Sequence, residues 1–510
     1  MRVKNLSKNV IISVFGQGVT IFAGFLSTRV LNMQLGEQYN GLKGTLDNTI
    51  SALSVTELGV ATAIAFHLYR ALVEDDKKQI ASLMNLYRKA YYVFAGILTT
   101  LGMICLPFIH LVDTKEHAFA PAYIREIFIL LLLKTVSGYL LSYKRSIVIA
   151  DQRDYVSSLV AMVANICNYA SIIVLVTWLE DLGIALCAGI VFDVISYLCL
   201  ICYVDKKYPF LKEYYAVPVD RKLIKKVFGD LKNIVVTRFS TKMLGCTDNL
   251  IIAKICGVSV AGLYTNYTYI TQAILNLAQS FCSAMQPSFG NLVVDRDSER
   301  DHKLIYVMSY IFFLIAAVVM CGVFSIATPF VKDLWLDDTK ILPIVSVFLC
   351  AVNLMLQIFA LPIGMYLNVS GLFQHEKWIT LVSAITNIFV SIVGAFMIGL
   401  EGVLLGTLLA YLIQIIGKSI AFFKDQLEMP IRRYAIAIAV YLVLALGEAF
   451  TCQRITMMLY GEGGILKFLL CGIICVILPT CVNLLLFCRT KRLHDTLDLV
   501  KSFIPRRVKG

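Results

Sequence analysis

The sequence has few charged residues and no polar stretch long enough to form a soluble domain. Only 16% of its 510 residues are charged and 58% are hydrophobic, whereas about a quarter of the residues in globular proteins are charged. The longest polar stretch, residues 205–230, is far shorter than a folded domain. This composition predicts a polytopic membrane protein. The net charge of +12 does not indicate that the protein binds nucleic acid.

Catalytic and metal-binding signatures are missing as well. The sequence contains no G-x4-G-K-[ST], H-E-x-x-H or G-x-S-x-G motif, and its six histidines are scattered. The 15 cysteines lie in apolar runs without paired spacings in polar loops. We interpret them as small packing residues rather than as a disulfide framework or metal ligands. We therefore expect no enzyme activity and no cofactor, apart from a coupling ion.

Apolar runs long enough for a membrane-spanning α-helix recur along the whole chain. They predict an all-α fold with about 14 transmembrane helices, at 9–31, 41–67, 90–112, 123–149, 155–178, 182–204, 231–256, 260–288, 303–328, 341–368, 377–399, 402–423, 432–452 and 464–488. The first run lacks a small-residue cleavage site, so we expect it to remain as a helix. Basic residues concentrate in alternate loops, which predicts that both termini are cytoplasmic.

Two similar patterns indicate an internal repeat. The pair Lys-Asn opens the first span at 8–9 and the seventh at 232–233, and the pattern G-x4-G-L follows at 36–42 and again at 257–263. Six helices separate the copies, so the two halves have the same orientation, as in parallel transporter repeats. We predict a six-helix bundle at 1–204, a basic cytoplasmic linker at 205–230, a second six-helix bundle at 231–424, two extra helices at 425–489 and a basic cytoplasmic tail at 490–510.

The seventh span carries Arg238, Lys242 and Asp248 inside its apolar run. At about 100° per residue, Lys242 lies about 40° from Arg238 and Asp248 about 80° the other way, so the three share one side of the helix. Ionisable groups in a span cost at least a few kcal/mol each and usually face a partner or a wet cavity. We interpret this side of the helix as part of a polar path.

Charged residues also lie in other spans. Lys134 and Asp193 are near mid-membrane, Glu57 is in the second span, and Arg29 is near the outer end of the first. They either line the polar path or, for Asp193 with one of the bases, form an internal ion pair. Structural roles are expected for an i,i+4 pair of Lys43 with Asp47, and contact with interfacial water is expected for Arg29 and Glu448.

The predicted eleventh and twelfth helices carry Asn387, Ser391 and Thr407 at helical spacing. Such residues often only form hydrogen bonds between neighbouring helices. Together with Asp248 they are alternatively a set of oxygen ligands for Na⁺, or Asp248 alone carries a proton.

Several segments resemble bacterial polysaccharide flippases of the Wzx type. The segments CTDNLIIAKICGVSVAGLYTNYTYI (246–270) and AMQPSFGNLVVD (284–295) are similar to the seventh and eighth helices of that family, and LGEQYNGLKG (35–44) with residues 57–80 to its first loop and second helix. The resemblance covers most of residues 1–340. It implies the multidrug/oligosaccharidyl-lipid/polysaccharide exporter superfamily, two six-helix bundles, a central cavity and a bacterial inner membrane.

The resemblance also implies a function. The transported molecule would be a polyprenyl-pyrophosphate-linked oligosaccharide, moved to the outer leaflet among membrane lipids and polysaccharide-assembly enzymes. Its substrate path would contain the charged residues of the spans: Arg29, Glu57, Lys134, Asp193, Arg238 and Lys242.

Peptidoglycan-precursor flippases of the same superfamily have a cation site, which the resemblance maps onto Asp248, Asn387 and Thr407. Ser391 stands where those flippases have a second Asp, so coupling to Na⁺ or to H⁺ stays open. The alternatives are a multidrug exporter, a membrane glycosyltransferase or polymerase, and a scaffold. The short outside loops argue against an enzyme, and the basic groups argue against a cavity for cations.

Overall fold

The computed structural model describes residues 2–54, 68, 71–72, 74–113, 116–151, 153–214, 221–293, 298–370, 373–425, 430–461, 463–490, 493 and 496. Within these ranges, side chains are described except at 2–14, 154, 221–235, 238, 283–293, 298–302, 368–370, 373–375 and 425.

The chain divides into two compact units, residues 1–265 and 266–510. The helices of the first unit are α1 (Arg2–Gln34), α2 (Glu37–Leu53), α3 (Lys77–Cys105), α4 (Pro121–Ser142), α5 (Arg145–Ala150), α6 (Asp154–Leu179), α7 (Leu182–Lys207), α8 (Phe210–Glu213) and α9 (Arg221–Ile255). Helix α10 (Val258–Val293) begins in the first unit and continues into the second. The second unit contains α11 (Ser298–Pro329), α12 (Ile344–Ser370), α13 (Phe373–Ile398), α14 (Leu400–Asp425), α15 (Arg432–Tyr460) and α16 (Ile465–Phe487).

Packing within each unit involves long helices in contact along their sides. In the first unit, α6 lies between α1 and α7, α7 also packs on α4, and α2 packs on α9. In the second unit, α11 contacts α12, α15 and α16, while α13 and α14 form a close pair that joins α12 through α14. The two C-terminal helices thus attach to their unit mainly through α11.

The predicted all-α polytopic architecture is confirmed, and every predicted span contains a described helix. Eight of the described helices are long and apolar enough to cross a membrane. Large apolar side chains on such helices face outward: Trp178 is 81% exposed, Met458 82% and Leu466 78%. An exposed apolar surface of this extent is what lipid contact requires.

The predicted end of the fourth span is wrong. The fourth span was expected over 123–149, but α4 ends at Ser142 and the short α5 follows after a turn. Lys144 lies in that turn and forms an ion pair with Asp205, at the end of α7. This ion pair links the turn to α7.

The stretch predicted as a basic linker, 205–230, is helical at both ends. Helix α7 continues to Lys207, α8 covers Phe210–Glu213, and α9 begins at Arg221. The compact units place α9 in the first unit, whereas the repeat pattern assigned it to the second bundle. The five-part division of the chain remains a prediction.

The repeated glycine pattern has a structural counterpart in the first unit. Gly36 and Gly257 both have left-handed backbone, with φ of 97° and 115°, which glycine adopts without steric cost. A Cβ on Gly41 would lie 2.1 Å from the carbonyl oxygen of Val258, and one on Gly262 would lie 2.0 Å from that of Glu37. Equivalent positions of the two copies therefore contact each other reciprocally, at a backbone separation that only glycine allows.

Candidate functional site

A polar cavity of about 450 Å³ lies among α2, α4, α6 and α7 of the first unit. Its lining consists mainly of charged, amide, hydroxyl and small residues: Lys43, Asp47, Leu131, Lys134, Thr135, Gly138, Tyr139, Ser142, Asn165, Asn168, Tyr169, Ile172, Ala185, Leu186, Gly189, Asp193 and Tyr197. A polar cavity among membrane helices has to contain water or a polar ligand, because its groups cannot be left dry without cost.

An ion pair between α4 and α7 lies in this cavity. Lys134 Nζ is 3.5 Å from Asp193 Oδ2, and the lysine side chain remains 38% exposed while that of Asp193 is 12% exposed. Lys134 follows the start of α4 by about 20 Å and Asp193 follows the start of α7 by about 17 Å, at ~1.5 Å per residue. The structure therefore contains the internal ion pair that the sequence offered as one alternative for Asp193, although the lysine is only partly enclosed.

A second group holds the Asp193 carboxylate in place. Asn168 Nδ2 of α6 donates a hydrogen bond of 2.6 Å to Asp193 Oδ1. Gly189, one turn before Asp193, makes room for the amide, because a Cβ at that position would be 2.4 Å from Asn168 Oδ1. Asp193 therefore keeps a strong hydrogen bond when its lysine moves. Sequence reasoning missed Asn168, since nothing local distinguishes it from any other buried amide.

The predicted i,i+4 pair of α2 is present. Lys43 Nζ donates to Asp47 Oδ2 at 2.8 Å, and the two side chains are 28% and 45% exposed. Because both residues line the cavity, the cavity contains two lysine–aspartate pairs. Each pair has no net charge, and both lysine side chains are partly exposed.

The charged residues predicted on the seventh span lie on α9. Asp248 is buried at 6% exposure, and Lys242 is half-buried. The charges of both act on the thiol of Cys246, which contacts Ser51 of α2, so this part of α9 faces α2. The Arg238 side chain and Glu57 lie outside the described residues, and Arg29 is half-buried on α1.

The proposed cation ligands of the second unit form hydrogen bonds with each other. Asn387 Nδ2 of α13 donates to Thr407 Oγ1 of α14 at 3.0 Å, and Ser391 Oγ donates to the carbonyl oxygen of Val403 at 3.2 Å. Close glycine contacts bring the two helices together, since a Cβ on Gly406 would be 2.3 Å from Ser391 Oγ. These residues therefore form hydrogen bonds between neighbouring helices, which the sequence offered as the alternative to a cation site. Asp248 belongs to the other unit, and its grouping with Asn387 and Thr407 remains a prediction.

Two further buried acids were not recognised as buried from the sequence. Glu376 of α13 accepts a hydrogen bond of 3.0 Å from Lys418 Nζ of α14. Glu448 of α15 accepts one of 2.7 Å from Asn483 of α16. All 15 cysteines are free thiols, and no group of potential metal ligands occurs in the described part of the chain.

This combination, an all-α membrane fold whose helices enclose paired charges, is typical of membrane transport proteins. No sequence-family model and no curated protein sequence matches the chain. Solved structures do match it, and they show that the fold is one used by transporters of the MOP superfamily.

The chain is similar to the lipid II flippase MurJ in an inward closed conformation, with 12% identity and a TM-score of 0.67 over 94% of this chain and 99% of that one. It is also similar to an inward-facing multidrug resistance MATE transporter of the MOP superfamily, with 15% identity and a TM-score of 0.57 over 79% and 94%. A MATE transporter of Vibrio cholerae, VcmN, matches with 14% identity and a TM-score of 0.56 over 84% and 98%.

Proposed function

We propose that the protein is a flippase that moves polyprenyl-pyrophosphate-linked oligosaccharide from the inner to the outer leaflet of a bacterial inner membrane. The single observation that carries this proposal is Lys134. It is held 3.5 Å from a buried aspartate in a polar cavity, yet 38% of its side chain is exposed. The similarity to a lipid II flippase along 94% of the chain supports the same class of substrate.

An accessible lysine can exchange one anion for another. A pyrophosphate entering the cavity would offer Lys134 a charge-assisted hydrogen bond to replace the one with Asp193. Asp193 would keep its hydrogen bond from Asn168, so the exchange leaves no carboxylate without a donor. Lys242, and Arg238 from the same helix, add positive charge to the path, with Arg29 and Glu57 as further path residues. The oligosaccharide would hydrogen bond to the amide and tyrosine groups of the lining.

The prenyl chain would remain in the membrane and follow the head group along the apolar outer surface of the helices. Outward movement of the pyrophosphate charge is favoured by an inside-negative potential, at about 2.3 kcal/mol per charge per 100 mV. Asp248, buried in α9, would bind the Na⁺ or H⁺ that returns the carrier. Both termini would be cytoplasmic, and the protein would work beside polysaccharide-assembly enzymes without being one.

Export of multidrug-type cations is the second candidate, because MATE transporters share the fold. Those matches cover 79% and 84% of this chain, less than the match to the flippase. A cavity in which each aspartate is already paired with a lysine has no spare negative charge for a cation, so we place this candidate second.

The test is a flip assay with a fluorescent lipid-linked oligosaccharide in proteoliposomes, with and without a membrane potential and Na⁺ or pH gradients. Lys134→Met and Lys242→Met should each slow flipping at least about tenfold, the loss expected when a charged hydrogen bond to substrate is removed. Asp248→Asn should abolish only the dependence on the ion gradient. Lys332→Met, at an exposed lysine of the second unit, is the matched control and should flip at the normal rate.

Unchanged flipping in Lys134→Met and Lys242→Met would show that these lysines do not bind the substrate. Transport of a cationic dye by a protein that flips no lipid-linked sugar would instead establish the multidrug exporter.

A further inference from the structure

Glu448 is a buried carboxyl group that the proposed transport path does not use. It lies near the middle of α15, is 5% exposed, and faces the seam that α15 forms with α11 and α16. The expectation that Glu448 reaches interfacial water is therefore wrong, because α16 covers the carboxyl group with Asn483. A carboxylate at this position has to be compensated or neutralised.

Asn483 provides one hydrogen bond to this carboxyl group. Its Nδ2 donates to Glu448 Oε1 at 2.7 Å and also to the carbonyl oxygen of Pro479 at 2.8 Å. Both hydrogens of the amide are then used. Among the described residues, two buried oxygens are left without a donor: Glu448 Oε2 and Asn483 Oδ1.

One proton on Glu448 resolves both deficits. A carboxylate and an amide oxygen are only acceptors, whereas a protonated carboxyl group supplies an O–H donor. Bound at Glu448, the proton would supply the donor that these two acceptor oxygens lack, while the amide continues to donate to the acid. It also removes the charge, whose burial without a partner would cost several kcal/mol. The side chains present therefore lack one hydrogen for a complete acid–amide pair.

The described groups around Glu448 supply no positive charge to compensate a carboxylate. Among the described residues, the titratable groups that face the seam are the thiols of Cys452 on α15, Cys321 on α11 and Cys471 and Cys475 on α16, and the phenols of Tyr310 on α11 and Tyr441 on α15. From α12, the rings of Phe348 and Phe359 contact α15. Within the described residues, no lysine, arginine or histidine acts on Glu448 by its charge.

We infer that Glu448 and Asn483 form a proton-binding site that is occupied at neutral pH. The bound proton allows α15 and α16 to pack on α11 as a neutral seam. The site is distinct from the cavity of the first unit and stands whether or not the substrate is a lipid-linked sugar.

Infrared spectroscopy of the purified protein in lipid at neutral pH tests this site directly. The wild type should show the C=O stretching band of a protonated carboxylic acid, and Glu448→Gln should lose it. Asn483→Leu should shift the band to higher frequency, because the acid loses its hydrogen-bond partner. Glu376→Gln is the matched control, since Glu376 is equally buried but paired with Lys418; it should leave the band unchanged.

Identical acid-region spectra for the wild type and Glu448→Gln would overturn the site. A second measurement uses only the wild type: dicyclohexylcarbodiimide, which reacts with protonated carboxyl groups in apolar surroundings, followed by mass spectrometry. Labelling of Glu448 without labelling of Glu376 supports the site. Labelling of Glu448 only after denaturation in detergent contradicts it.

Discussion

A lysine–carboxylate pair lies inside the helices of each unit, and the two pairs differ in how open they are. In the first unit, Lys134 and Asp193 are 3.5 Å apart with side chains 38% and 12% exposed. In the second unit, Lys418 and Glu376 are 3.0 Å apart with side chains 10% and 7% exposed. The first pair borders a cavity, whereas the second is enclosed by α13, α14 and the Gly364 position of α12.

From this difference we propose two roles for one kind of ion pair. A fully enclosed pair has lost its hydration on both sides, so removing one partner leaves the other charge without compensation. A half-open pair retains water at the lysine and a second donor at the carboxylate, and its lysine can move to another anion. Lys418–Glu376 is therefore expected to stabilise the fold, and Lys134–Asp193 to bind substrate.

The largest effect is expected from Lys418→Met. Glu376 would remain buried with no cation, which costs about 3–5 kcal/mol in comparable buried pairs. Thermal unfolding in detergent measures the loss. The double variant Lys418→Met/Glu376→Gln should recover much of it, because the unpaired charge is gone. Equal stability of the single and double variants would show that the enclosed pair does not act as a pair.

Gly189→Ala should have the next largest effect. Its Cβ would lie 2.4 Å from Asn168 Oδ1 and would displace the amide that holds Asp193, at about 1–3 kcal/mol for overpacking. Gly96→Ala on α3, where a Cβ meets nothing within 4 Å, is the control and should be neutral or stabilising. If both alanine variants unfold at the same temperature, Asn168 is not fixed as described.

Lys134→Met should change stability less, by about 1 kcal/mol, because the lysine is 38% exposed and solvent weakens its attraction to the aspartate. Asp193 keeps the hydrogen bond from Asn168, and water replaces the ammonium group. The same variant should lose flipping in the assay described above. A loss of stability as large as that of Lys418→Met would erase the distinction between the two pairs.

The smallest effect is expected at Asp337, in the loop before α12. This carboxylate lies outside the spans and is compared with the buried pairs. Hydrogen bonds from the Thr339 hydroxyl and, secondarily, the Thr339 backbone N–H lower the pKa of Asp337 below the usual range of an aspartate. Its contribution to stability is therefore complete above the unfolded-state pKa of about 3.9 and is lost as the pH falls through the lower folded-state pKa. Asp337→Asn should flatten the acid side of the melting-temperature profile slightly. A profile that is steeper in the variant would contradict the assignment.

Much of the fold could be predicted from the sequence, because apolar runs of membrane-spanning length are a local property. The pair Lys43–Asp47 was also predictable, since residues four apart on a helix are neighbours wherever the helix lies. The partners of Lys134, Lys418 and Glu448 could not be predicted in this way. Each lies on another helix, at a sequence separation of 59, 42 and 35 residues.

The sequence by itself determined that this protein lies in a membrane, roughly where its helices run along the chain, and which spans contain charge. Hydropathy and helical period decide these features one segment at a time. Only the tertiary structure decided that Lys134 is half open, that Lys418 is enclosed and that Glu448 faces Asn483 rather than water. Burial and pairing depend on which helix is adjacent and at what height, and that is set by packing between helices distant in the chain.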